Sequence, residues 1–307
     1  MPQSFYDVLW IFIIYAFLGW CTEVAYAALE HGKFVNRGFL NGPYCPIYGC
    51  GVLIVVVLLT PLKSNGLILF AGSFLLTSTL EFVTGFVMEK VFHNKWWDYS
   101  NEHFNIMGYV CLKFSILWGL ACTFIVLLIH PVIYKFINII PKIIGIVLIS
   151  IIMVCFIVDF IVTVSTIIKF NRRLRLMNEI AAKLKDISNE IGENVYEGVT
   201  EAMEYKERLE EKHADWIEEI EEKKEKFTAS VNEKKEQERR ELLDKYNELM
   251  NYRNVISTRL MKAFPNMKSR TDNDILDKLK ENMKLKIKLN TKENINDQDD
   301  SDRSNHQ

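Results

Sequence analysis

The 307-residue chain has little of what soluble enzymes use for chemistry. It contains no G-x-x-x-x-G-K-[ST] run, so it lacks that phosphate-cradling loop for ATP. No G-x-S-x-G or H-E-x-x-H pattern occurs, which removes the common serine-hydrolase and zinc-protease signatures. The six cysteines (Cys21, Cys45, Cys50, Cys111, Cys122 and Cys155) form no C-x-x-C pair and have too few histidines around them for zinc. A basic excess is missing too: 37 Lys and Arg against 39 Asp and Glu leave a net charge of −2, which argues against nucleic acid as a partner. From these absences the chain is expected to be no enzyme and to use neither a metal nor a cofactor. Asp98, flanked by Trp96, Trp97 and Tyr99, is the one place where a catalytic group is conceivable.

What is present is divided in two. Residues 1–169 carry 9 basic and 8 acidic side chains, and residues 170–307 carry 28 and 31. A membrane-spanning helix needs about 20 mostly apolar residues, and the first part holds five candidates: 5–29, 47–62, 67–88, 109–130 and 143–168. The second is short enough to be partly re-entrant. The first is not expected to be a cleaved signal, because MPQSFYD has no basic residue and Glu23 interrupts the apolar run. Lys169, Arg172, Arg173 and Arg175 follow the last span and predict a cytoplasmic C-terminus, with the N-terminus outside and loops one and three inside. The expected fold is all-α: a polytopic bundle over 1–169, a long charged helical or coiled-coil tail over 170–264, and a short helix with a disordered end over 265–307.

The tail carries an apolar stripe from Leu176 to Phe264 with a mean spacing of roughly 3.67 residues, closer to an eleven-residue repeat than to a heptad. Polar residues such as His213, Lys223 and Lys234 break that seam, so the stripe fits a solvated helix or helical hairpin, or a partner-binding coiled coil. Pro265 is expected to end the helix; DNDILDKLKENMKLKIKL (272–289) reads as a further amphipathic helix, and 290–307 as disordered. His130-Pro131 is expected to end span four.

Loop one, KFVNRGFLNGPYCPIYGCG (33–51), is dense in glycine, proline and aromatics and is expected to resist both helix and strand and to fold tightly against something. Loop three, EKVFHNKWWDYSNEHFNIMG (89–108), is aromatic-rich and lies on the same side. Counted from the span ends at the helical rise, Glu23, Glu81 and Lys113 lie roughly 6–11 Å below that surface and Asp159 roughly 13 Å. Each costs about 2.5–3.5 kcal/mol unless paired or wetted. Two readings follow. Glu23, Arg37, Glu81, Lys113 and Asp159 line a polar, cytoplasm-facing pocket roofed by the loops, or they are buried pairs such as Glu23–Lys113 and Glu81–Arg37 that only fix packing.

GWCTEV (19–24), NRGFLNGPYCPIYGCG (36–51), LEFVTGFVMEKVFHNKWWDYS (80–100) and LKFSILWG (112–119), followed by HP (130–131), resemble the bacterial membrane family named putative ABC-transporter type IV, or CmpB-like permease, over about residues 5–135. The positions that match are Glu23, Asn36, Arg37, Gly38, Gly42, Pro43, Pro46, Tyr48, Gly49, Glu81, Glu89, Trp97, Asp98, Tyr99 and Trp118. The resemblance implies a permease-like subunit in a bacterial inner membrane, with lipid around it, any ATPase on a separate chain, and a homodimer, since five spans are few for a whole carrier. The alternative is a non-transporting anchor or scaffold whose tail recruits a cytoplasmic partner.

Overall fold

The computed structural model describes residues 2–32, 34–208 and 214–285; the expected disordered end at 290–307 lies outside them. The chain is mostly helical and divides into two units. The first comprises 1–171 together with 253–276, and the second 172–252 with 277–307.

In the first unit, helix α1 (Phe5–His31) starts in a capping box: Ser4 accepts from the Asp7 amide while Asp7 takes the Ser4 and Gln3 amides. It ends at Gly32 in a left-handed cap. Helix α2 (Pro46–Leu59) continues as a short 3₁₀ turn, and α3 (Gly66–Phe92) is capped by the Asn65 side chain. Helix α4 (Leu112–Phe124) runs through a π-turn at Ile125–Ile129 into α5 (His130–Ile139), and α6 (Lys142–Arg208) is one long helix. Among the described residues four helical stretches are long and apolar enough to cross a membrane: Phe5–Leu29, Gly66–Phe92, Leu112–Ile139 and Lys142–Glu193; Pro46–Leu62 is a shorter apolar helix. Trp10, Ile11, Val55, Val56, Leu69, Val126 and Ile137 form the core where these helices meet.

Two expectations are corrected here. Pro131 does not end span four, for the π-turn just before it widens the helix and lets a residue without an amide N–H pass near its start. The half of loop one from Pro46 onward is helical rather than irregular. Pro46 occupies the opening turn of α2, where its missing donor costs nothing. Gly49 is there for close approach: a Cβ on it would lie 2.6 Å from the Phe12 carbonyl oxygen of α1.

The tail differs as well. The apolar stripe is not one helix to Phe264: α7 (Ala214–Asn251) stops, and α8 (Val255–Ala263) starts afresh under an Asn254 cap. The segment 253–276, read from sequence as part of the tail, groups with residues 1–171. Within the second unit, Arg173 lies 5.4 Å over the Tyr252 ring and Lys235 pairs with Glu190 at 2.7 Å. These ties are seventeen residues apart along each stretch of chain, Tyr252 directly following α7, and run in opposite directions, so this part of α6 and α7 pack antiparallel. The expected 272–289 helix is present over 273–285, and its last residues lie outside those described.

Replacing Gly49 by Val drives a side chain into a backbone carbonyl that cannot turn aside. The substitution is expected to destabilise the protein by about 1–3 kcal/mol, read as a lower melting temperature of the detergent-solubilised chain.

Candidate functional site

Loops one and three meet at one end of the helices, where Phe39 packs on Phe92 and Trp96. Loop one is shaped by its own asparagine. Asn36 Oδ1 accepts from Trp20 Nε1 at 2.8 Å and from the Gly38 amide at 3.0 Å, while its Nδ2 donates to the Asn41 carbonyl at 2.8 Å. The turn is then clamped to α6. Asp159 Oδ2 accepts from the Gly42 amide at 2.7 Å, and Oδ1 from the Asn41 amide and side chain at 3.2 and 2.8 Å. Thr163, one turn further on, donates to the same carboxylate and accepts from Asn41. Asp159 is thus met by loop donors. Pro43 lies in the stretch that leads from this clamp to Cys45, whose amide donates to the Ala16 carbonyl.

Arg259 of α8, which the sequence reading did not single out, closes the loop from the other side. Its Nη1 donates to the Gly38 carbonyl at 2.7 Å and the Asn36 carbonyl at 3.5 Å, Nη2 to the Phe39 carbonyl at 2.9 Å and Nε to Asn41 Oδ1 at 3.1 Å. The planar fork suits such a set of carbonyls better than an ammonium would. Burial lowers the Arg259 pKa, against the Asp159 charge, which raises it. The available signal was the Asn254 helix start, which the apolar stripe running on to Phe264 concealed.

Loop three is built on a short hairpin, β2 (Asn105–Ile106) with β3 (Val110–Cys111). Its other short strand, β1 (Asn94–Lys95), pairs antiparallel with β4 (Lys268–Ser269), so the 253–276 segment touches both loops. Trp97 Nε1 donates to the Tyr109 carbonyl at 2.9 Å, and Trp96 stacks edgewise on Phe264 at 5.1 Å. Asp98 is taken up by Lys95 at 3.0 Å, Lys268 at 2.8 Å and Ser100. Burial works to raise its pKa, but the bonds from Lys268, Ser100 and Lys95 outweigh it and hold the carboxylate well below its usual range. A group so engaged ties Lys95 and Ser100 of loop three to Lys268 of β4.

Under the loops, acids and tyrosines alternate. Glu23 accepts from the Tyr48 hydroxyl at 2.5 Å and pairs with Arg37 at 3.6 Å. Glu81 accepts from the Tyr99 hydroxyl at 3.2 Å, and Glu89 from the Tyr109 hydroxyl at 2.8 Å. Tyr99 stacks on Phe114 at 4.9 Å, and Tyr48 meets Trp118 edge-on at 5.5 Å. Burial raises the Tyr99 pKa most; the Glu81 charge and hydrogen bond, Cys111, and then the Glu23 charge push it further the same way. Both carboxyls therefore bear on one hydroxyl. Among the described residues the two pairs proposed as mere packing are not seen: Arg37 pairs with Glu23, and Lys113 is found with neither acid. Lys113 is exposed, 5.5 Å from the Phe114 ring. Ser115, Gly119 and Cys122 mark the inward face of α4, and a residue two places from Ser115 is turned about 200° away from it.

The family described as Putative ABC-transporter type IV matches residues 10–164, just over half of the chain. The chain belongs to that family. The match extends past the 5–135 read from sequence and takes in Asp159 and the first part of α6. No curated protein and no solved structure matches the chain. Family and apolar helices together make it a membrane protein of transporter type.

Cys45 reports on the closed loop. Burial, followed by the Glu23 charge, pushes its thiol up to about 12, with the Phe39 backbone and Arg259 acting weakly the other way. Arg259→Ala removes a charge-assisted network, a loss on the order of 1–3 kcal/mol. Maleimide labelling of Cys45 in the intact protein, followed on the Cys45 peptide, is expected to accelerate by about tenfold or more as the thiol is wetted.

Proposed function

We propose that this chain is a permease-like membrane subunit with a polar chamber at the loop end of its helices, ATP hydrolysis being supplied by a separate chain. One observation carries the reading. Glu23 and Glu81, on two different helices, lie under the same loops, and each takes a tyrosine hydroxyl from another element, Tyr48 of α2 and Tyr99 of loop three. Carboxyls at such a depth cost about 2.5–3.5 kcal/mol each, a cost that α1–α2–α3 packing does not itself require. Membership of the transporter family supports a transport role for them.

In this reading the loops face the cytoplasm of a bacterial cell, the basic cluster Lys169–Arg175 lies on that side, and the N-terminus lies outside the inner membrane. The short α2 serves as the fifth crossing beside the four long ones, and two copies make the working unit. A second reading is favoured by the antiparallel packing of α6 and α7: a charged arm that recruits a cytoplasmic partner as a coiled-coil scaffold. Truncation near residue 170 does not separate the two, because it also removes the 253–276 segment that holds both loops. Excision of 178–247 across a glycine-serine linker does, since it spares that segment.

Purification of the full chain from native membranes is expected to bring down a P-loop ATPase whose hydrolysis is retained after the excision. Glu23→Gln is expected to lower that activity about tenfold, the equivalent of about 1.4 kcal/mol, without reducing the amount of protein inserted. An eluate without ATPase, or full activity in the variant, counts against the permease.

A further inference from the structure

Three carboxyls are sunk in the helices near the loops, and their surroundings differ. Glu23 has a guanidinium at 3.6 Å and a hydroxyl at 2.5 Å. Asp159 has two backbone amides, an amide side chain and a hydroxyl. Among the described residues Glu81 has a single donor, the Tyr99 hydroxyl on Oε1. Its Oε2 is buried with no hydrogen-bond partner, and the residue is only 9% exposed.

The groups that bear on Glu81 or on its tyrosine are Tyr99 of loop three, Cys111 of β3, Glu23 of α1 and Tyr48 of α2. None is a cation. Lys113, the nearest expected counterion on α4, points outward, and Arg37 is engaged with Glu23. A buried charge without a partner is the costly case, at several kcal/mol. A proton on Oε2 removes that charge and, unlike a larger cation, needs no cavity.

We propose that Glu81 is a proton-exchange site: the ligand taken by the chamber is H⁺, carried on Glu81 Oε2. Loading forms the O–H bond at Oε2 with a proton from water; release breaks that bond and returns the proton to water, with both electrons left on the oxygen. The Tyr99 hydroxyl keeps its bond to Oε1 in both states and serves the ionised form as donor. The Glu23–Arg37 side is the more open one, those side chains being 27% and 25% exposed against 9% for Glu81. Tyr99 is a positioning residue here, the proton itself resting on Glu81. The proposal rests on the permease reading for the use made of the proton, not for its presence.

The test uses the full chain in lipid nanodiscs and the probe N,N′-dicyclohexylcarbodiimide, which adds to protonated carboxyls in apolar surroundings, with sites read by peptide mass spectrometry. Glu81 is expected to be labelled, with the yield falling about tenfold per pH unit on the alkaline side of its midpoint. Glu23, paired with Arg37, is expected to stay unlabelled. Tyr99→Phe removes a donor to the ionised form and is expected to carry labelling to higher pH, a shift that a purely structural role would not produce. Infrared difference spectra of wild type against Glu81→Gln should show a protonated-carboxyl C=O band that the variant lacks. A missing band together with an unlabelled Glu81 from about pH 5 to about pH 9, or labelling that is flat with pH, overturns the proposal. Absence of a co-purifying ATPase would instead overturn the permease reading and leave these measurements untouched.

Discussion

A carboxylate placed inside a helical bundle has to be met by donors, and here a loop meets it. Asp159 lies within α6, and the Asn41 and Gly42 amides close on it. This contact decides where loop one goes. Once 41–42 is fixed, Asn36 can tie the turn to Trp20, the carbonyls of Gly38 and Phe39 face Arg259, and Cys45 reaches the start of α2. Backbone that is neither helix nor strand survives at such depth only where protein satisfies its polar groups. The glycines and prolines supply the shape, and the satisfaction comes from α6 and α8.

The same logic links the 253–276 segment to the rest of its unit. Arg259 fills the acceptor side of loop one, Lys268 pairs with Asp98 of loop three, and β4 extends the backbone of β1. The two loops are held by one short piece of chain that follows the long charged helices in sequence. Its polar contacts are joined by apolar ones: Leu260, Ala263, Met267 and Leu276 are buried, and Phe264 packs edgewise on Trp96.

Tyrosine hydroxyls account for much of the remaining polar design. Tyr48, Tyr99 and Tyr109 each face one glutamate, and each ring also packs on an aromatic neighbour. A phenol suits a carboxyl near lipid because its ring is content in apolar surroundings while its hydroxyl supplies one donor. Glu23 has a guanidinium as well and Glu81 does not, a difference in company that separates two acids otherwise alike in sequence context.

The amino-acid sequence by itself determined that apolar helices form, that acids lie below the level of the loops, and that glycine-rich and aromatic segments recur near them. These follow from hydropathy, from residue depth along a helix and from backbone freedom, all of them local. It did not reveal the partners. Lys113 is at the right depth, but helix phase turns it outward; Pro131 carries a local stop signal that a π-turn overrides; the Leu176–Phe264 stripe hides the break at 252–254. Arg259 lies 218 residues from Asn41 in the chain, and no local rule connects them. Only the tertiary structure decided which donor meets which carboxyl, because pairing depends on which faces of separate elements are brought together, and that is settled by packing over the whole unit.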